Sequence, residues 1–385
     1  MVALPPSVNA IPFNRSSTQG KELQYIAESL LGGQIAGDQA FTRRCQGLIE
    51  QVTGARKALL TTSCTHALEM AALLLDLGPE DEVIVPSFTF VSTANAFVLR
   101  GAKPVFADVR PDTLNLDEAK LPGLLTGRTK AVVPVHYAGV GCEMDAIRAV
   151  CRPSGVVVIE DNAHGLFGRY RGQPLGTFGE LATQSFHETK NITCGEGGAL
   201  LVNDLRYGER AEILREKGTN RTQYFRGQVA KYTWVDVGSS YVVSDVLAAF
   251  LYGQLEQWER VQAKRRQIWD YYHLHLADWA RQWGVRQPVV PAHCEQAYHM
   301  YYLVLPDLKS RQGLIHHLKD RGIMAVFHYQ PLHLSEMGSR FGGCPGDCPV
   351  SEMAADCLVR LPFFNDLTSA DQARVVEGVK SFRMS

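Results

Sequence analysis

The sequence of 385 residues has no apolar run long enough to span a bilayer and no excess of either charge, since 39 basic and 40 acidic residues leave a net charge of -1. The first absence leaves no candidate membrane segment. The second leaves no face-wide basic field to neutralise the phosphates of a nucleic acid. Neither a membrane nor a nucleic-acid partner is therefore expected. The opening stretch MVALPPSVNAIPFNR lacks a basic segment followed by an apolar one, so the expectation is a cytoplasmic protein. Low-complexity tracts and internal repeats are missing too, which excludes solenoids and arrays. Neither the GxGxxG of dinucleotide folds nor the GKS/T of a P-loop occurs, and this removes the two commonest nucleotide-binding readings.

Cysteine is sparse, with nine residues scattered along a large chain, an odd number that argues for reduced thiols rather than a disulfide framework. One local cluster holds Cys344, Cys348 and Cys357 around GGCPGDCP. Three residues separate the first two, and no fourth ligand follows, so the stretch reads as a Gly/Pro-rich surface loop rather than a zinc site. No metal is expected.

What is present describes an ordinary globular protein, 45% hydrophobic and 21% charged. Its length exceeds the size at which a single core stops growing, so two domains are expected. From residue 56 onward, short β-branched runs alternate with amphipathic stretches: KALLTTS, EVIVPS, KPVFADV, KAVVPVHY and VVVIED, with helical segments between several of them. Near-continuous apolar strands separated by helices predict an α/β unit with a mostly parallel central sheet covered on both faces. After ALLVND the chain becomes polar and basic, and a long helical stretch is expected from near Ser244 through LAAFLYGQLEQWERVQAKRRQIWDYYHLHL. Beyond it AYHMYYLVLP, SRQGLIHHLKDRG and MAVFHY predict a smaller α+β domain. The division is set at residues 1–250 and 251–385.

Several residues could carry chemistry. Asp161 ends VVVIED, and in an open α/β sheet ligands bind outside the carboxyl ends of the strands. It reads either as a ligand contact or as a helix cap. His164 follows as a second contact or a core histidine. SCTH, residues 63 to 66, stands where the first backbone N–H groups of a helix point outward, either capped or free for an anion. Phe88 and Phe90 come just after another strand, as core residues or as a flat surface for a planar ligand. Lys190 lies in SFHETKNITCGEGG, where the glycines allow sharp bends and close approach. A lysine amine becomes a nucleophile when burial or nearby charge lowers its pKa. Taken together, an amine for an aldehyde, a carboxylate for a pyridine nitrogen, a helix N-terminus for a phosphate and an aromatic for a ring are what pyridoxal 5'-phosphate requires.

The segments SFHETKN with GEGG, IEDNAH, PSFTFVSTANAF, SCTHALEMAALLLD and SSYVVSDVLAAF, spread over nearly the full chain, resemble the DegT/DnrJ/EryC1/StrS sugar aminotransferases. The resemblance implies the fold type I of pyridoxal-phosphate-dependent transferases, like aspartate aminotransferase. It implies transfer of an amino group from L-glutamate to C4 of a nucleotide-linked 4-keto-6-deoxyhexose. Lys190 would be the lysine that holds the cofactor, Asp161 the partner of its ring nitrogen, and His164 a neighbour of its 3-oxygen. Phe90 would stack on the ring, while Thr65, His66 and Ser185 would hold the phosphate. Lys217, Asn220, Arg221, Arg226, His328 and His333 would meet the sugar nucleotide. Members are homodimers whose sites are shared between subunits, and many carry an N-Y-R stretch that reaches the neighbouring phosphate. Here Ser240, Tyr241 and Val242 stand in its place, so Ser240 is the expected contact. Sugar 3-dehydratases of the same family have His at the lysine position, and Lys190 sets this chain apart from them.

Overall fold

The computed structural model describes residues 10–384. Seven strands form the main sheet: β1 (Lys57–Thr61), β2 (Glu82–Pro86), β3 (Lys103–Ala107), β4 (Thr129–Val132), β5 (Val157–Asp161), β6 (Leu181–Ser185) and β7 (Gly198–Val202). Their order is β1-β7-β6-β5-β4-β2-β3. From β6 through β5, β4 and β2 to β3 neighbours run parallel, whereas β7 is antiparallel to both β6 and β1. The expected parallel sheet is thus present, with one reversed strand near an edge.

Alternation along these strands sorts side chains to two faces. On β7, Leu200 and Val202 join the core beneath helix Cys64–Leu74, while Ala199 and Leu201 join the opposite core with helix Ala40–Thr53. Both faces are apolar because both are covered by helices. Ser63 starts the helix Cys64–Leu74, its Oγ accepting from His66 N–H at 3.1 Å. That cap leaves the helix N-terminus at the carboxyl edge of the sheet.

The long helical stretch expected after Ser244 is two helices, Asp245–Leu255 and Trp258–Gln282. Ser244 caps the first, accepting from Leu247 N–H. The break re-aims the chain. Ala248, Ala249, Leu251 and Leu255 pack with the large unit, and so does Val261, whereas from Ile268 onward the buried residues belong to a second core. The division anticipated at 250/251 falls inside the first helix, while the cores change over between Val261 and Ile268. The second core is built on a three-stranded antiparallel sheet in which Leu358–Arg360 lies between Tyr302–Val304 and Val326–Phe327. Helices Leu308–Lys319 and Ser369–Ser381 cover it. Ile11 bridges Ile323 within the second core, and among the contacts between the units Cys294–Glu295 pairs with Arg169–Tyr170.

Candidate active site

Asp161 and Glu160 are consecutive on β5, so their carboxylates point to opposite faces of the sheet. Asp161 shares the parity of Ile159, which packs beneath the helices Cys64–Leu74 and Ser92–Val98. Its Oδ2 accepts from Thr93 Oγ1–H at 2.7 Å and its Oδ1 from Ala163 N–H at 3.1 Å. Thr93 Oγ1 is held in turn by Thr89 Oγ1 at 2.9 Å. The carboxylate is 5% exposed and fixed in direction, yet each oxygen keeps acceptor capacity toward the cleft.

Lys190 sits on the loop between β6 and β7, its N–H donating to His187 O at 2.9 Å. Burial pushes its ammonium down to about 8; Arg360 acts in the same direction, while Cys64 and Asp161 oppose. The amine is therefore within electrostatic reach of Asp161, of Cys64 at the helix start, and of Arg360 from the smaller unit. Burial, with the charge of Asp161 adding to it, lifts the Cys64 thiol to about 12, which leaves it an inert neutral neighbour. The glycines after the lysine serve the backbone. Gly195 adopts φ +84°, and a Cβ on Gly198 would lie 2.3 Å from Ser63 C and 2.4 Å from Cys64 N. Only glycine allows β7 to pass this close to the start of the helix, so here the close approach is to protein backbone. The next residue, Asn191, ties the loop to the far side of the cleft: its Nδ2 donates to Ala297 O at 2.6 Å and to Gln262 Oε1 at 3.1 Å.

Above the carboxylate a group of rings comes together. His164 stacks on His299 at 4.2 Å and 17°, and lies 6.2 Å from His328. His299 Nδ1 bonds Asn191 Oδ1 at 3.0 Å, and His328 Nδ1 bonds Tyr137 Oη at 2.7 Å. Burial holds all three imidazoles well below their usual value, with the charges of Lys190 and Arg360 acting the same way. They are neutral. His164 Nδ1 is buried without a hydrogen-bond partner. An orphaned buried ring nitrogen can form a hydrogen bond with a polar ligand atom. Phe88 is core, 1% exposed, whereas Phe90 is 57% exposed with its ring 6.3 Å from that of Tyr329.

At the helix start, Thr65 Oγ1 and Ser92 Oγ share a hydrogen bond of 2.8 Å, and the His66 ring bonds Thr62 and lies 5.2 Å from Tyr241. Ser185, at the end of β6, accepts from His187 N–H at 3.5 Å. Ser240 is exposed and bridges Glu216. In the basic segment, Lys217 is exposed and 3.4 Å from Glu216, Asn220 Oδ1 accepts from Thr233 N–H at 2.8 Å, and Arg221 lies over Phe225 at 5.2 Å.

Two residues expected at the sugar nucleotide are engaged elsewhere. The Arg226 guanidinium forks onto the buried Glu212 at 2.6 and 2.9 Å. His333 is 0% exposed, with Nδ1 at 2.6 Å from Ser87 Oγ and Nε2 at 3.1 Å from Glu352. Both its ring nitrogens are satisfied inside the protein, which makes it a core histidine. Conversely, Thr93, His299, Asn191 and Arg360 belong to the site and were not singled out from sequence. Thr93 and Asn191 had a signal, since they lie in PSFTFVSTANAF and SFHETKN. Cys344 is exposed while Cys348 and Cys357 are buried, and among the described residues no three ligating side chains converge on a metal site. Among the same residues no helix is long and apolar enough to cross a membrane.

Residues 16–380 match the DegT/DnrJ/EryC1/StrS aminotransferase family. The uncharacterized protein MJ1066 of Methanocaldococcus jannaschii is 34% identical over 347 residues, 88% of this chain and 89% of that protein. The solved aminotransferase TlmJ of Streptoalloteichus hindustanus is similar at 31% identity with a TM-score of 0.88, covering 96% of this chain and 98% of its own. Spr1654 of Streptococcus pneumoniae, a proposed sugar aminotransferase solved in PLP and PMP forms, has a TM-score of 0.90 in its PLP form at 25% identity, covering 97% of this chain and 98% of its own. The chain, folded as an α/β transferase of fold type I, belongs to the DegT/DnrJ/EryC1/StrS aminotransferase family, whose enzymes use pyridoxal 5'-phosphate.

Proposed function

We propose that this enzyme transfers an amino group from L-glutamate to C4 of a nucleotide-linked 4-keto-6-deoxyhexose. The substrate we assign is dTDP-4-keto-6-deoxy-D-glucose, and the product dTDP-4-amino-4,6-dideoxy-D-galactose. That finer assignment rests on the resemblance of FTRRC, AFVLRGAKPVFADVRPDT, VPVHYAGVGCEMD and MAVFHYQPLH to the dTDP-4-amino-4,6-dideoxygalactose transaminase. The reaction rests above all on one pairing: burial lowers the Lys190 amine to about 8, and the charge of the buried, doubly bonded Asp161 reaches it.

The residues fit pyridoxal 5'-phosphate. An amine, a fixed carboxylate, a capped helix N-terminus with flanking hydroxyls, and an orphaned His164 Nδ1 supply the contacts its aldehyde, ring nitrogen, phosphate and phenolic oxygen need. When bound, the group would supply an aldehyde carbon that takes nitrogen from the donor and passes it to the keto carbon, and an electron-poor ring that holds the electron pair left by the departing proton. Lys190 holds the cofactor between turnovers. Once released, its Nζ would take the proton from the donor's α-carbon and pass it to the carbon that carries the transferred nitrogen, and in the second half reaction it would take that proton back and deliver it to C4 of the sugar. Asp161 keeps a proton on the ring nitrogen, its direction fixed by Thr93 and by Ala163 N–H. Thr65, His66 and Ser185 would bind the phosphate, Phe90 would cover the ring, and His164 would face the 3-oxygen.

Lys217, Asn220, Arg221 and His328 serve the sugar nucleotide in this reading, and Ser240 reaches the phosphate bound by a second copy of the chain. Support for a homodimer comes from the segment before Ser240, where Trp234, Val235 and Val237 are 78%, 50% and 50% exposed. Apolar side chains exposed together mark an association surface. The reaction class and the absence of a spanning helix among the described residues fit a cytoplasmic enzyme. The experiment is to combine Lys190→Ala with a panel of nucleotide keto sugars and L-glutamate, following products by NMR. The wild type should aminate C4 of the dTDP sugar, while the variant should bind the cofactor noncovalently and turn over nothing. Normal transamination by Lys190→Ala would refute the lysine's role, and amination at another carbon or on another nucleotide would refute the substrate.

A further inference from the structure

Tyr298 adopts φ +50°, a left-handed backbone that residues other than glycine rarely take. The turn brings two groups on either side of it, the Ala297 carbonyl and the His299 ring, onto one amide. Asn191 Nδ2 donates to Ala297 O at 2.6 Å, and Asn191 Oδ1 lies 3.0 Å from His299 Nδ1. Backbone strain of this kind persists only where the surroundings hold it, and it gathers at functional sites. Here the buried Arg265 holds it. Its Nε donates to Tyr298 O at 2.9 Å, its Nη2 to His299 O at 2.6 Å and its Nη1 to Asn365 Oδ1 at 3.3 Å.

The Asn191 amide also decides where the proton on His299 sits. A backbone carbonyl only accepts, so the amide nitrogen faces Ala297 and the amide oxygen faces the imidazole. His299 Nδ1 is therefore the protonated nitrogen, and it donates to Asn191 Oδ1. Hydrogen bonds elsewhere in the Lys190 loop run mainly within it. His187 Nδ1 and Thr189 Oγ1 are 3.0 Å apart, Lys190 N–H donates to His187 O, and Thr193 Oγ1–H and Cys194 N–H both donate to Phe186 O. Asn191, one residue beyond the lysine, is where the loop meets residues 297–299.

Resting on the role given to Lys190 above, we propose that His299 is a positioning residue: through its Nδ1–H bond to Asn191 it sets the direction from which the Lys190 amine meets the cofactor. An amide held from Ala297 on one side and from His299 on the other leaves the adjoining lysine little freedom to turn. Aim of this kind matters, because a misplacement of about 1 Å at a reacting group can cost roughly 100-fold in rate. The competing role for His299 is packing alone, since its ring lies flat on His164 at 4.2 Å and 17°. Packing needs a flat ring but no proton on Nδ1. The bond is favoured by the strained turn at Tyr298, which lets Ala297 O and the His299 ring reach Asn191 together.

The test uses the full-length protein loaded with pyridoxal 5'-phosphate, or with pyridoxamine 5'-phosphate, whose amine cannot bond to Lys190. His299→Phe keeps a flat ring and removes the donor, whereas His299→Asn removes the ring and places an amide N–H where Nδ1 stood. Cofactor release on dilution is followed by absorbance. His299→Phe should release the aldehyde form about tenfold faster than wild type and the amine form at the wild-type rate. With L-glutamate in single turnovers, its limiting rate should fall by about the same factor at unchanged half-saturation. His299→Asn should restore most of both losses. Equal acceleration of both cofactor forms by His299→Phe would make His299 a wall of the pocket and overturn the proposal, as would release and turnover at wild-type rates. A His299→Asn variant as impaired as His299→Phe overturns it too, because the ring and not the donor would then matter. Should His299→Phe fail to fold, His299→Gln takes its place with the same expected and overturning results, since its amide reaches the position of Nε2 and not that of Nδ1. A wild type in which borohydride fixes the cofactor anywhere but at Lys190 defeats the proposed function itself. Fixation at Lys190, alongside an unaltered His299→Phe, defeats only this inference.

Discussion

Glu160 and Asp161 are neighbours on one strand, equally charged and both enclosed, yet their surroundings differ in kind. Glu160 is 0% exposed and accepts from four donors: His136 Nε2 at 2.8 Å, Gly176 N–H at 2.8 Å, Phe178 N–H at 2.6 Å and Gly179 N–H at 2.7 Å. His136 Nδ1 accepts from Cys142 N–H, so Nε2 carries the ring proton and donates to the glutamate. Every acceptor site is filled, and the group fastens the 176–179 turn beneath the sheet. Asp161, one residue on and facing the other way, has two donors and stays available. A saturated carboxylate is architecture; a carboxylate fixed by two bonds and otherwise open is equipment for a ligand.

The sharpest test of this contrast is to exchange charge for an amide at both positions. Asp161→Asn should lower kcat by roughly 10³-fold, about 4 kcal/mol of transition-state stabilisation, with the thermal midpoint of the apo protein nearly unchanged. Glu160→Gln should do the reverse. Its amide turns two donors toward backbone N–H groups, which should destabilise the fold by about 3 kcal/mol in urea titrations while kcat per folded molecule stays near wild type. If Glu160→Gln were the more damaging to turnover at equal folded fraction, the division of labour between the two would be wrong.

A smaller effect should come from the amine. The folded value of Lys190 is about 8, below the ordinary lysine value, so the unfolded chain holds a proton that the folded chain has lost between those limits. Stability attributable to this group therefore rises with pH through that window, and below pH 8 the buried ammonium is a burden. Lys190→Met should stabilise the apo protein by about 2 kcal/mol at pH 7, after allowance for partial exposure, and by less at pH 9.5. Denaturation curves at the two pH values give the comparison. The smallest effect belongs to Thr93→Val, which removes one of the two bonds that orient Asp161. It should cost about 1 kcal/mol in transition-state stabilisation, read from kcat/KM, and leave the Glu160 side untouched.

Much of this was legible in the sequence because it is local. The β-branched runs became β1 to β5, the charge of the strand-end aspartate reaches the lysine before GEGG, and Ser63 caps the helix its spacing suggested. What escaped depends on partners far along the chain. His333 was expected at a ligand, but Ser87, 246 residues away, occupies one of its nitrogens and Glu352 the other. Arg226 looked like a free cation until Glu212 came one helix away to meet it. Arg360 carried no signal at all in LVRLPFF, since an arginine without a counter-ion is a property of the packed interior and not of a pattern. The interruption at Glu256–Gln257 has neither proline nor glycine to announce it.

The tether made by Asn191 has a consequence for how the machine would respond to its substrates. Through Ala297 and Gln262 it joins the loop of Lys190 to the segment that leads into the smaller unit. A displacement of that segment would therefore reach the amine over a single peptide bond, so that the position of the smaller unit and the aim of the lysine would become one mechanical variable.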